Sequence, residues 1–440
     1  MTAMDAQSGG KSVVKTAIGY NDPSSTTATG QVRTWKSGST TYTYAYDARG
    51  NITSVSDGQS TTTYAYDSFD QLVRENNQAA GKTWTYAYDS GGNILSKTEY
   101  AYTTGTLGAA VRTVAYGYGD ASWSDLLTSI GGQSLTADEI GNLLSDGTWT
   151  YTWQHGRQLA GMSKTGTNIA YGYDSDGKRI TKTVNGTAYN YHYLGDQLVE
   201  LTWGGNKLHF TYDSTGPLSV NCNGTEYFYV KNAQGDVTVL VNASGTRVVT
   251  YTYDAWGNLL STSGTMASTL GSVNPLRYRG YVYDTETGLY YLQSRYYNPT
   301  WGRFINADDT ALLLSSPGKA HWDKNVFAYC DNNPLNRVDE DGECWDIIIG
   351  GIVGGIVSGA SSIVNDAIMG RETTVGSVLM SVGAGFAAGM LTAAFPSGGI
   401  HDIMSAGIAG VIAFSSAFGG GSTILEALWS AFAASAETYI

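Results

Sequence analysis

Along most of the first three hundred residues, apolar and polar positions alternate with a period of two, and one phrase punctuates the alternation. Its fullest form is Tyr44-x-Tyr46-Asp47 followed by Gly50-Asn51. It returns at Tyr64, Tyr66 and Asp67, and at Tyr86, Tyr88 and Asp89 with Gly92-Asn93. It returns again at Tyr171, Tyr173, Asp174 and Gly177, and at Tyr251, Tyr253 and Asp254 with Gly257-Asn258. A period of two puts both rings on one face of a strand. Asp bonds its own backbone and Gly or Asn accepts positive φ, so the phrase then turns. Ile52, Leu72 or Ile94-Leu95 begins the returning strand. Asp47, Asp67 and Asp89 lie 20 and then 22 residues apart, so each unit has the length of one hairpin. Degenerate copies lie between, such as Asp138 to Asn142 and Tyr191 to Asp196. A lone hairpin cannot bury its face, so neighbours must pair edge to edge. The pattern predicts a mainly β protein: one long antiparallel sheet from about residue 12 to 300, with residues 1–11 disordered.

Composition narrows the choice. Gly is 56 and Tyr 32 of 440 residues, and only 14% of residues are charged, against about 25% in ordinary domains. Disordered chains are charged and poor in aromatics, which excludes disorder for the chain as a whole. Tyr favours strands and Gly weakens helices, which excludes a helix bundle for most of it. The three cysteines, Cys222, Cys330 and Cys344, cannot staple 440 residues and read as buried thiols. A net charge of -13 argues against nucleic acid as a partner and against electrostatic docking to anionic lipid. His155, His192, His209, His321 and His401 are scattered without metal-ligand spacing, so no metal is expected. No Gly-rich phosphate loop followed by Lys-Ser/Thr is present, and no cofactor is expected. Met1 to Tyr20 lacks the apolar run of a secretory signal.

The recurring phrase resembles the YD repeat of the Rhs family, which also occurs in wall-associated proteins and in the C component of insecticidal toxin complexes. The resemblance covers roughly residues 12–342. It implies antiparallel hairpins forming a curved, shell-like extended sheet over residues 12–273. It also implies a secreted or cell-surface toxin of interbacterial competition. A chain of this length supplies too few hairpins to close a shell, so it is read as the end of a longer protein. Taken residue by residue, each repeat Tyr and Asp is a packing ring or a turn cap. A different class of function, a carbohydrate-binding adhesin with no toxin, would use the Tyr-rich faces as stacking surfaces for sugars.

Residues 274–342 change in texture. Asn274-Pro-Leu-Arg277-Tyr278-Arg279-Gly280-Tyr281 leads to Asp284, Gly288 and Tyr290-Tyr291. Arg295-Tyr-Tyr-Asn-Pro299, Gly302-Arg303-Phe304, Asp308-Asp309, Asn332-Asn333-Pro334 and Asp339-Glu340-Asp341-Gly342 follow. This segment resembles the Rhs repeat-associated core, which in that family closes the shell and cuts the chain behind itself by aspartic-protease chemistry. Two carboxylates held close cannot both ionise; one keeps a proton while the other activates water. The resemblance assigns Arg295, Asp308 and Asp339 to this role and the bond Glu343–Cys344 to the cut. Asp309 and Glu340 replace the usual prolines, Glu343 replaces Leu, and Leu312 to Lys324 forms a longer loop. Read from the residues alone, Arg295 is also an ion-pair member of the wall, and the two acids are also turn caps.

From residue 343 to 440 the composition shifts to Gly, Ala, Ile and Val. Ile347–Val364, Val375–Phe395 and Ile403–Leu425 are nearly free of charge, and each approaches the roughly 20 residues that span a bilayer as a helix. Small residues recur at every fourth position, as at Gly350 and Gly354 and at Gly385 and Gly389, a spacing that lets helices touch. The prediction is a small α-helical hydrophobic C-terminal domain, enclosed by the shell as payload. Its candidate partners are a membrane, through residues 347–425, and an immunity protein. The alternative is a buried helical segment that stays inside the shell.

Overall fold

The structure is a computed structural model and describes residues 3–8, 10–20, 31–308, 325–342 and 346–347. All of the described residues lie within one compact unit, Met1–Gly350. The predicted helical tail, Glu343 and Cys344 lie outside the described residues. Among the described residues no helix is long and apolar enough to cross a membrane.

The hairpin wall is present, in two sheets rather than one. Twelve antiparallel strands in sequential order run from Ala3 to Ser134, and fourteen more run from Thr136 to Ser263. The ladder breaks where the phrase is missing. Between Tyr118 and Asp138 the strands shrink to two residues, and Leu135 turns into the core at 7% exposure. Of residues 1–11, expected to be disordered, Ala3–Ser8 instead forms a strand that pairs with Lys11–Tyr20. Ala6 alternates inward there beside Val14, Phe228 and Val230, and that burial holds the strand.

Each repeat is built by the same three devices. The Asp carboxylate caps the turn: Oδ1 of Asp47 accepts from the backbone N–H groups of Arg49 and Asn51, both at 2.9 Å. Asp67, Asp89, Asp174 and Asp254 do the same. Gly50 sits at φ +89° in this turn, and Asp70 takes the corresponding place at φ +63°. A register shift then falls before the second Tyr, between Ala45 and Tyr46, Ala65 and Tyr66, Ala87 and Tyr88, Gly172 and Tyr173, and Thr252 and Tyr253.

Both rings stay on the same cluster, 6.3 Å apart at Tyr251 and Tyr253, but at different depths. The first ring is core, as with Tyr44, Tyr86, Tyr171 and Tyr251. The second is half-buried, and its hydroxyl reaches the previous hairpin. Tyr46 donates to the Val32 carbonyl at 2.8 Å, Tyr66 to Ile52 at 2.7 Å, Tyr88 to Leu72 at 2.6 Å and Tyr173 to Leu159 at 2.8 Å. One such bond contributes about 0.5–1.5 kcal/mol, and repetition makes it the rivet between successive units.

Faces of the two sheets pack together where the first begins and the second ends. Trp35 Nε1 donates to the Lys231 carbonyl at 2.9 Å, Tyr42 pairs with Thr238 at 2.7 Å, and Tyr44 donates to Gln234 at 3.1 Å. A third sheet of four short strands, Val282 to Phe304, sits in the largest hydrophobic cluster with residues of both long sheets. Its tyrosines interleave with others of the same segment: Tyr297 stacks on Tyr329 at 4.1 Å, and Tyr278 and Tyr290 lie 5.9 Å apart. All four are buried to 2% exposure or less. Full burial of each ring contributes on the order of 2 kcal/mol, which fixes the segment against the wall.

Candidate functional site

The core segment docks on the turns of the repeats. Asn325 Nδ2 donates to Asn93 Oδ1 at 2.7 Å, Asn332 to the Gly92 carbonyl at 2.7 Å, and Asn333 to Asn51 Oδ1 at 3.0 Å. Asn336 Oδ1 accepts the Ile52 N–H at 2.8 Å. Gly-Asn in the repeat thus makes the turn and also presents an amide to the core. Arg157 and Arg303 add ties to the Ala307 carbonyl at 2.8 Å and to the Asp125 carbonyl at 2.8 Å.

The sequence did not single out Arg179, the strongest of these ties. Its guanidinium is fully buried and bidentate on Asp284, at 2.5 and 3.2 Å, with Lys182 Nζ on the same carboxylate at 3.0 Å. The rings of Tyr291 and Tyr191 lie 4.4 and 4.8 Å from the guanidinium carbon. Burial alone would raise the Asp284 carboxyl, but Arg179 and then Lys182 outweigh it and hold it below the usual range. A signal was available: Arg179 stands five residues after its turn Asp, where Ile52, Leu72 and Ile94 stand after theirs. A charge at an apolar position of a repeat needs a buried partner.

Arg295, Asp308 and Asp339 come together. Arg295 opens the strand Arg295–Asn298, Asp308 follows the strand Arg303–Phe304, and Asp339 follows Arg337–Val338. One nitrogen, Arg295 Nη2, lies 3.2 Å from Asp308 Oδ2 and 3.3 Å from Asp339 Oδ2. Its Nη1 donates to the Val326 carbonyl at 3.1 Å, and the guanidinium carbon lies 3.7 Å from the Phe304 ring centre. The acids differ in setting. The Asp339 side chain is 3% exposed and that of Asp308 is 19% exposed. Burial raises the Asp339 carboxyl to about 7; Arg295 opposes this, Asp341 and Asp308 add to it, and the Gly342 N–H opposes it.

Asp339 is also a turn cap, since its Oδ1 accepts the Gly342 N–H at 2.8 Å. The backbone N–H of Asp339 donates to the Tyr281 hydroxyl at 3.1 Å, and Tyr281 is bonded to Tyr329 at 3.1 Å. The chain leaving Asp339 is gripped at successive residues. Ser294 Oγ donates to the Asp341 carbonyl at 2.7 Å, and Arg295 Nε donates to the Gly342 carbonyl. Gly342 has φ +80°, and a Cβ there would lie 2.6 Å from the Leu292 carbonyl oxygen and 2.7 Å from Ser294 Oγ. Only glycine fits this seat. The next residue is Glu343. No His, Cys, Asp and Glu group suited to a metal ion occurs among the described residues.

These features can be set beside known proteins. The tRNA3(Ser)-specific nuclease WapA of Bacillus spizizenii is 43% identical over 234 residues, covering 51% of this chain and 10% of that protein. The tRNA nuclease WapA of Bacillus subtilis is 40% identical over the same length and shares. The chain therefore spans about a tenth of the length of these relatives. Among solved structures, the TcdB2–TccC3–Cdc42 toxin complex matches 78% of this chain and 19% of its own, with a TM-score of 0.54 and 18% identity, which is a likeness of fold. The profile described as Teneurin YD-shell matches residues 55–335, well over half of the sequence, and with the repeat and its docked core in view the chain belongs to that family.

Proposed function

We propose that this chain is the closing end of an Rhs-type toxin shell whose core cuts the Glu343–Cys344 bond once and frees the hydrophobic segment that follows. One observation carries the reading: a single guanidinium spans both candidate carboxylates and the Gly342 carbonyl, the last one before Glu343. Asp308, the more exposed acid, is the carboxylate that takes a proton from water. Asp339, held near 7, is the acid that protonates the leaving amine. Arg295 keeps the two acids and the chain ahead of the bond in one frame, which supplies the proximity that a single intramolecular turnover needs. The likeness of fold to Tc toxin complexes and the similarity to WapA nucleases support the toxin setting; the activities in their names are their own.

The released segment, residues 344–440, is a membrane-active payload on this account. Its three uncharged stretches support that reading. The adhesin alternative has less support, because the rings of Tyr44, Tyr86, Tyr171 and Tyr251 are buried in the core and offer no face to a sugar. The test is expression of the full chain beside Asp308→Asn. Wild type yields two fragments and Asp308→Asn yields one band. Dye leakage from vesicles on adding the cleaved preparation supports the payload assignment, and an intact wild-type chain at pH 5 to 7 refutes the cleavage.

A further inference from the structure

Away from the Arg295 site, a second set of buried ionisable groups joins the two long sheets. Lys97 Nζ, on the strand Ile94–Ala101 of the first sheet, lies 2.8 Å from Oδ2 of Asp254, in a turn of the second. The Asp254 side chain is fully buried and that of Lys97 is 15% exposed. Beside them is Glu75, at 0% exposure on the strand Leu72–Asn77. Its Oε2 accepts the N–H of Ala255, the residue after Asp254, at 3.0 Å, and its Oε1 accepts Asn77 Nδ2 at 3.0 Å. Trp84 and Tyr86 flank the lysine, at 5.7 and 5.8 Å from Nζ to the ring centres.

We propose that Lys97 and Asp254 condense into an intramolecular amide that covalently joins the two sheets, with Glu75 as the proton relay. The arrangement has the parts this step requires. The amine is at hydrogen-bond distance, 2.8 Å, from the carboxyl oxygen that leaves. Oδ1 of Asp254 is held by the N–H groups of Trp256 and Asn258, both at 3.0 Å, which are placed to stabilise the negative charge that develops on that oxygen.

The atoms balance without an oxidant. A proton passes from Nζ to Oδ2, leaving a neutral amine and a carboxylic acid. Nζ attacks Cγ and the new C–N bond forms. Protonated Glu75 gives its proton to Oδ2 and takes one from Nζ, ending as it began. The Cγ–Oδ2 bond breaks and one water leaves, while Oδ1 remains as the amide oxygen on its two N–H donors. Burial, then the charge of Asp254, raises Glu75 to about 8, so the relay carries its proton at neutral pH. In the comparable pair Lys182–Asp284 the second carboxylate, Glu286, lies 2.7 Å from Lys182 Nζ but is 24% exposed, and the bidentate Arg179 keeps the Asp284 carboxylate ionised and unreactive.

The experiment is mass spectrometry of the purified full chain. Trypsin stops at an acylated lysine, so the amide joins peptide Thr83–Arg112 to peptide Val248–Arg277 as one branched species lighter than their sum by one water. The expected result is that species in wild type, its absence from Lys97→Arg, and its loss or marked slowing in Glu75→Gln. The wild-type digest needs no variant to fold. Cleavage after Lys97 with both peptides at full mass overturns the proposal, and Glu75→Gln linked to the wild-type extent overturns the role of Glu75. Both peptides precede Glu343, so the outcome is independent of cleavage at the core.

Discussion

Replacing Arg179 by Met tests whether the core segment is held on the wall by a buried charge. Met keeps the apolar volume but leaves Asp284 in the core with only Lys182, 3.0 Å away. Breaking a buried pair costs about 3–5 kcal/mol. The remaining lysine puts the expectation at the lower end, and losing the four ring contacts, to Tyr171, Tyr191, Tyr291 and Tyr296, pushes it back up, a desolvated contact of this kind being worth about 0.5–2 kcal/mol. Arg179→Lys does not rescue the loss, because an ammonium cannot reproduce the bidentate fork. The control is the neighbouring residue: Lys178 pairs at 2.8 Å with Asp196, which is 77% exposed, and such surface pairs contribute about 0–1 kcal/mol. The assay is the urea midpoint by tryptophan fluorescence. Arg179→Met lowers it severalfold more than Lys178→Met. Since Asp284 sits below its usual range, its contribution is present above the unfolded value and fades as the pH falls through the folded one. The penalty for Arg179→Met therefore shrinks in acid. Equal shifts for the two variants, or a penalty that grows in acid, would mean that the buried Arg179–Asp284 pair does not hold the core on the wall.

Tyr88→Phe removes the 2.6 Å bond to the Leu72 carbonyl and is expected to cost about 0.5–1.5 kcal/mol in urea unfolding. Gly342→Ala drives a methyl into the Leu292 carbonyl and Ser294; the chain ahead of Glu343 then leaves its seat, and cleavage read by gel slows at least tenfold. The cleavage rate falls as the pH rises through about 7, where Asp339 loses its proton. The same ionisation makes Asp339 stabilising to acid and costly to base: the folded state holds a proton that the unfolded chain releases near 3.9, so stability declines between that pH and about 7. A Tm series across this range on the Asp308→Asn chain reads it.

The repeat was legible because one turn carries its own chemistry: Asp47 caps it, Gly50 permits it and Ile52 starts the return. Periodicity could not show the bulge before Tyr46 and its counterparts, since a register shift leaves no mark on the spacing of residues. The division into two sheets was equally hidden, as it depends on which hairpins lack a partner beyond Ser134. The meeting of Arg295, Asp308 and Asp339 came from family resemblance and not from spacing; residues 44 positions apart say nothing about geometry by themselves. The same limit hid Arg179 with Asp284 and Lys97 with Asp254, pairs whose partners lie over a hundred residues away. Scarcity was the unused clue. With charges at 14% of the chain, each one in a strand interior had a reason to be there.

If the core holds the chain for its own cut, the smaller fragment from the purified full chain begins at Cys344. N-terminal sequencing of that fragment is expected to read Cys344 first in wild type, with no such fragment from Asp339→Asn or Arg295→Met. A fragment starting elsewhere, or the same fragment from Asp339→Asn, rules out a cut made by the core.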